Sequence, residues 1–273
     1  MIGSQQRYIS NELSHFAGAK LEKKENQYKV LIEIINTGFL KSSGHGFHPT
    51  LSSVEINENA KISENEMYIP GMVCFCDIPV EDLHLHVKKY SPFGLSFSKD
   101  FIVNNGGAPL YYIPRKTKVE KAKRMSPERV EQLAQKSRNL GRASIEPEEE
   151  DWKKTNKALY FDEMVKKYQG LLKLLCRLIY KIDNLEQRGG AFNNLNEIEI
   201  FSKFHFFSYL KFFDHELQDS DLENYYFERE WRIVGNLQFN KKDIKRVFLL
   251  PDYAKQFRKD CPDYYGQITF IES

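Results

Sequence analysis

The run GMVCFCDIP, residues 71 to 79, constrains the fold of this chain more than any other stretch. It is apolar over strand length and closes on Pro79, which has no N–H to give to a ladder, so it reads as a buried strand. A sheet must form around it. A short strand or turn is expected at RYISNELSHF (7–16, ending at His15), and further strands at FGLSFSKDF (93–101), APLYYIP (108–114), YYFEREWRIV (225–234), KRVFLLP (245–251) and QITFIE (267–272). Helices are expected at 26–39, where Val30, Leu31, Ile34 and Ile35 form an amphipathic stripe and Gly38 supplies a left-handed stop. VEDLHLHVKKY (80–90) predicts a three-turn helix with acids early and lysines late. Two long helices follow, at 157–182 and in the Phe-rich 196–217, and residues 40–69, with His45 and His48, predict a polar, irregular loop.

Strands, then helices, then strands predict one α+β domain over residues 1–273, its sheet interrupted by a helical insertion at about 115–222. The 273 residues, 41% hydrophobic and 29% charged, are those of an ordinary globular chain. A net charge of +2 gives no whole-molecule case for nucleic acid or membrane. No apolar run nears the ~18 residues of a membrane span, MIGSQQRYIS has no signal-peptide core, and four scattered cysteines suit a reducing compartment, so a cytoplasmic location is expected.

The chemical motifs are few. Cys74-x-Cys76 and His84-x-His86 have metal-ligand residue types, but neither spacing lets both ligands converge, and no metal site is expected. Phosphate-binding glycine loops and a nucleophile elbow are absent. Residues 115–142 carry ten Lys/Arg against three Glu, without an aromatic among them, and read as a solvated linker balanced by EPEEED at 146–151, with nucleic-acid contact left open as a secondary role. The carboxylates Glu228 and Glu230 remain. Two apart on a strand they would sit ~6.5–7 Å from each other and repel by ~2 kcal/mol at an effective dielectric near 20. Arg232 can relieve this by pairing with Glu230. A solvated charged face explains the pattern as well as a catalytic one does, and from these residues alone the solvated face is the expectation.

Several stretches together resemble the AbiGi proteins of bacterial abortive-infection, or phage-defence, loci. They are LSHFAG (13–18), LIEIINTGFL (31–40), MVCFCDIPVEDLHLHVKKYSPFGLSFSKDF (72–101), APLYYI (108–113) and YYFEREWRIV. Members are usually labelled antitoxins, which implies a cognate toxin or antitoxin as partner. A more distant resemblance is to ADP-ribosyltransferases, toxin-antitoxin effectors among them: a histidine closing the first strand, a helix ending in Gly plus a hydrophobe, and a Glu on a late strand. It implies split antiparallel sheets with NAD bound in the cleft between them, as substrate of a transferase acting on a nucleic-acid or protein target. Carried onto this chain, His15 with Phe16 beside it contacts the nicotinamide ribose, and Glu230 is the catalytic acid with Glu228 completing an E-x-E pair. Ser96 and Ser98 resemble a Ser-x-Ser strand of one branch. Tyr90, Tyr28 and Phe75 are candidates to stack on nicotinamide, while Asp77, His86 and Tyr90 are expected at the cleft mouth, the last two sharing a helix face. The rival expectation is a non-enzymatic antitoxin in which EREWR is an ordinary strand.

Overall fold

The computed structural model describes residues 10–42, 54–120, 154–218 and 224–271, with Asp221 and a few helical positions between 127 and 135. His45, His48, the EPEEED run and most of the basic stretch lie outside the described residues. Seven strands build the main sheet: β1 (Glu12–Phe16), β2 (Met72–Cys76), β3 (Gly94–Ser98), β4 (Ala108–Pro109), β5 (Glu230–Val234), β6 (Ile244–Leu249) and β7 (Gln267–Phe270). Their spatial order is β7-β6-β3-β1-β2-β5-β4, antiparallel except for β6 with β7.

The apolar run closed by Pro79 is therefore interior to the sheet, with β1 on one side and β5 on the other. The two ladders are unequal. All five residues of β5 pair with β2, from Glu230↔Cys76 to Val234↔Met72, and all five of β1 pair with β3. Between β1 and β2 the register holds a single pair, Ser14↔Cys76. The sheet is continuous but nearly divided there, into four strands on one side and three on the other.

The helices among the described residues include α1 (Lys24–Thr37), α2 (His84–Lys89), α3 (Lys99–Asn104), α4 (Lys157–Ile179), α5 (Leu185–Phe201) and α6 (Ala254–Asp260). α1 buries Tyr28, Leu31 and Ile35 in the main core, with Leu13, Phe97, Val247 and Phe257. It stops at Gly38 (φ 63°), whose N–H bonds Ile34 O at 3.0 Å, leaving Phe39–Leu40 to pair with Leu237–Gln238. A Cβ on Gly38 would fall 2.3 Å from Phe239 O, so only glycine fits the turn. A second core, with Ile62, Ile113, Val165, Phe207 and Phe212, lies under α4.

Several expected boundaries move. Residues 93–101 are strand only to Ser98, whose hydroxyl accepts from Phe101 N at 3.3 Å and starts α3. Residues 108–114 are two strands, because the chain leaves the main sheet after Pro109 and Tyr111–Pro114 pairs in parallel with Leu210–Phe213. The expected three-turn helix at 80–90 is a 3-10 turn, Val80–Asp82, followed by the short α2. Within 40–69, Val54–Ile56 pairs with Tyr68–Pro70 instead of forming an irregular loop. The Phe-rich stretch is not one helix: α5 begins at Leu185, ends at Phe201 and passes through a π turn (Ser202–Phe206) into the strand Leu210–Phe213. Phe207 and Phe212 are core, whereas Phe201 and Phe206 are exposed. A waiting partner strand and the β preference of aromatics override helical spacing there.

Candidate functional site

The chain 225–234 is not a single strand. Tyr225–Glu228 forms a 3-10 turn capped by Asn224, Arg229 takes a left-handed conformation (φ 45°), and β5 begins at Glu230. Strand pleat therefore does not relate the two glutamates; a left-handed residue between them does. Both carboxylates are buried, at 5% and 7% exposure, which excludes the solvated face. Within β5 the pleat works as expected, with Trp231 and Ile233 toward the main core and Glu230 and Arg232 toward the other side.

A cavity of about 380 Å³ opens where the sheet nearly divides. His15 and Phe16 of β1, Phe75 of β2, His86 and Tyr90, and the pair Glu228 and Glu230 line it. Lys41, Lys211 and Arg232 add positive charge, and Tyr225 an aromatic wall. The His15 ring bridges the gap left by the short ladder, its Nδ1 lying 2.8 Å from Cys74 O. A carbonyl only accepts, so Nδ1 carries the proton and Nε2 keeps a free lone pair. Burial lowers the pKa of His15 against the opposing effect of that bond, so the ring is neutral at pH 7.

Glu230 is fixed from three directions. Its amide donates to the Tyr112 hydroxyl at 2.8 Å. Arg232 reaches both carboxylate oxygens, Nε to Oε1 at 2.7 Å and Nη2 to Oε2 at 3.3 Å, and anchors its own Nη1 on Ser208 O at 2.7 Å. Lys211 Nζ stands 3.8 Å from Oε2 and 4.2 Å from the centre of the Tyr225 ring. Burial pushes the carboxyl pKa up, and Arg232 with Lys211 more than reverses this, holding Glu230 ionised below the usual carboxylate range. The guanidinium takes one lone pair on each oxygen, and the others can still accept from a ligand hydroxyl.

Glu228 serves differently. Its Oε1 accepts from the Tyr90 hydroxyl at 2.6 Å and from Lys89 Nζ at 2.8 Å, so it orients the tyrosine on the cavity wall. Burial first, and then the Glu228 charge, push the Tyr90 phenol pKa up and keep it protonated. His86 is 2% exposed, and neither ring nitrogen has a hydrogen-bond partner among the described residues. It packs edge-on against Phe227 and beside Tyr90, and burial, then Lys89 and His84, lowers its pKa to about 4.

Four expected positions fall elsewhere. Asp77 is tied to Lys99 at 2.7 Å and accepts from Ser10 N at 3.1 Å; it lines a neighbouring cavity of about 650 Å³ with Tyr112, Tyr226, Trp231 and the other side of Glu230. Ser96 is fully buried and donates to Glu12 at 2.6 Å, where Arg246 also binds. Ser98 is the α3 cap. Tyr28 is core, its hydroxyl on Asp260 at 2.8 Å. Conversely, Lys211, Tyr112 and Tyr225 were not singled out by sequence reasoning. Lys211 carries no local signal, since 210–213 has helical spacing and becomes a strand only through tertiary pairing.

These features define a class: an α+β protein whose nearly divided sheet holds a small-molecule-sized cavity with a neutral histidine, a tethered tyrosine and an ionised glutamate. The AbiGi family model, described as "Putative abortive phage resistance protein AbiGi, antitoxin", matches residues 52–255, and the chain belongs to that family of phage-defence proteins. Abortive phage resistance protein AbiGi of Lactococcus lactis subsp. cremoris is 40% identical over 53 residues, which is 18% of this chain and 21% of that protein. The aligned part is thus about a fifth of the relative's length. No solved structure matches the chain. Among the described residues, no helix is long and apolar enough to cross a membrane.

Proposed function

We propose that this AbiGi protein is an NAD-dependent ADP-ribosyltransferase that acts as an abortive-infection effector. The observation that carries the reading is the convergence of His15, Tyr90 and Glu230, 75 and 140 residues apart in sequence, on one cavity at the parting of the sheet. The neutral His15 accepts a ribose hydroxyl at Nε2. Phe75 and Tyr90 offer the nicotinamide apolar walls, and Lys41 and Lys211 face the pyrophosphate. Breaking the bond from nicotinamide nitrogen to ribose C1′ sends its electron pair to nicotinamide and leaves an oxocarbenium-like sugar, as in glycoside cleavage. The ionised Glu230 accepts a ribose hydroxyl and stabilises that charge, a contribution typically worth ~3–4 kcal/mol. The acceptor's nucleophile then bonds C1′ and loses its proton. The second cavity reaches Glu230 from its other side and gives the acceptor its approach.

The test is transfer of label from NAD to lysate protein, RNA or DNA by wild type and by Glu230→Gln. Transfer and toxicity should both vanish in the variant while its circular dichroism matches wild type, because the glutamine oxygen still accepts from Arg232 and Arg232 keeps Ser208 O. Retained toxicity in Glu230→Gln, or no NAD binding by the wild type in calorimetry, ends the reading. A second reading, an antitoxin that binds a partner without catalysis, is favoured by the family's description. It predicts neutralisation of a co-expressed toxin that Glu230→Gln leaves intact.

A further inference from the structure

The α4–α5 hairpin carries an apolar stripe that is exposed among the described residues. α4 turns Ala158, Val165 and Ile179 inward. A second stripe, Met164, Leu171, Leu174 and Leu178, is exposed, the three leucines at 53%, 50% and 49%. The spacing 164, 171, 178 with 174 between is the 3.5-residue repeat of a helix–helix seam. On α5, Ile198 and Phe201 are also exposed, and only Leu195 is buried. Gly170, Gly189 and Gly190 would meet nothing within 4 Å if they carried a Cβ. Each costs about 1 kcal/mol in a helix, and no contact among the described residues requires them.

Charge says what covers this face. Lys166, Lys167, Arg177 and Lys181 lie on or just beyond α4, all exposed and without an ion pair among the described residues. No Asp or Glu occurs between 164 and 182. α5 carries three acids, Glu186, Glu197 and Glu199, against the single Arg188; Glu199 pairs with Lys203, while Glu186 and Glu197 are exposed and without an ion pair among the described residues. The hairpin thus holds a basic apolar helix beside an acidic apolar one, and the two leave each other's charges unmatched.

We propose that this face docks on the same face of a second copy of the chain, α4 of each copy against α5 of the other, in a two-fold four-helix bundle. Two-fold pairing of that kind sets basic on acidic twice, whereas α4 on α4 would set basic on basic. At 1.5 Å per residue the helices are about 25 and 35 Å long, and with ~10 Å of width each they present roughly 600 Å² before side-chain relief is counted. That approaches the ~800 Å² per partner of a standard interface.

Sedimentation equilibrium of the full chain over a micromolar concentration series tests this. Wild type should reach twice the chain mass. Leu171→Glu with Leu174→Glu should hold it at the single-chain mass with unchanged circular dichroism, since both positions are exposed. Arg177→Glu with Lys181→Glu should weaken association at least tenfold, and adding Glu186→Lys with Glu197→Lys should restore it. A wild type of single-chain mass throughout overturns the proposal. So does a dimer that persists in the leucine variant, because its interface is then elsewhere. Neither result bears on NAD chemistry.

Discussion

His86 is a buried imidazole whose nitrogens have no partner among the described residues, and that geometry sets a measurable acid sensitivity. In the unfolded chain its pKa is the ordinary 6.5, and in the fold it is about 4. The folded value is depressed, so the native state binds fewer protons between those limits. The contribution is whole above pH 6.5 and declines as pH falls, by ~1.4 kcal/mol per unit, until the folded imidazole itself titrates near pH 4. Between pH 6.5 and 5 this is about 2 kcal/mol. His86→Leu removes the titration and both unpartnered nitrogens at similar volume, so it should change stability by less than ~1.5 kcal/mol at pH 7.5. Urea denaturation of both proteins at pH 7.5, 6.5, 5.5 and 5 reads the difference. The variant should gain about 2 kcal/mol on wild type across the acid limb, keeping the part that comes from His15, whose pKa is also lowered. Parallel curves would show that His86 is solvated or partnered, and the reasoning would fail.

Three further outcomes are expected. Arg232→Met leaves Glu230 buried with only the more distant Lys211, and should cost ~3–5 kcal/mol in urea denaturation, part of it recovered by adding Glu230→Gln. Gly38→Ala forces a side chain into a left-handed turn against Phe239 O and should cost more than ~1 kcal/mol; a thermal midpoint unchanged from wild type would contradict that. Phe212→Ala, at 0% exposure, should lose ~3–5 kcal/mol in urea denaturation, and Trp231→Ala less, because Trp231 is only half-buried. An equal loss would mean that the tryptophan is as enclosed as the core phenylalanine.

Local pattern carried much of the framework. The apolar run closed by Pro79, the alternation at 93–98, and the stripe of α1 with its glycine stop are statements about neighbours in the chain, and each element formed near its expected place. The pairing of Arg232 with Glu230 was legible for the same reason, since two residues apart on a strand is a local distance. What the tertiary structure decided is everything that depends on which strands lie side by side. The one-pair ladder between β1 and β2 opens the cavity, and no residue in either strand announces it. Burial of Glu228 and Glu230 depends on α2, which brings Lys89 and Tyr90 to Glu228, and on the strand Leu210–Phe213, which brings Lys211 to Glu230. A carboxylate's surroundings, and therefore its charge state and use, come from distant chain. For that reason an exposed strand face and a cavity wall were indistinguishable in ERE until the sheet was assembled around them.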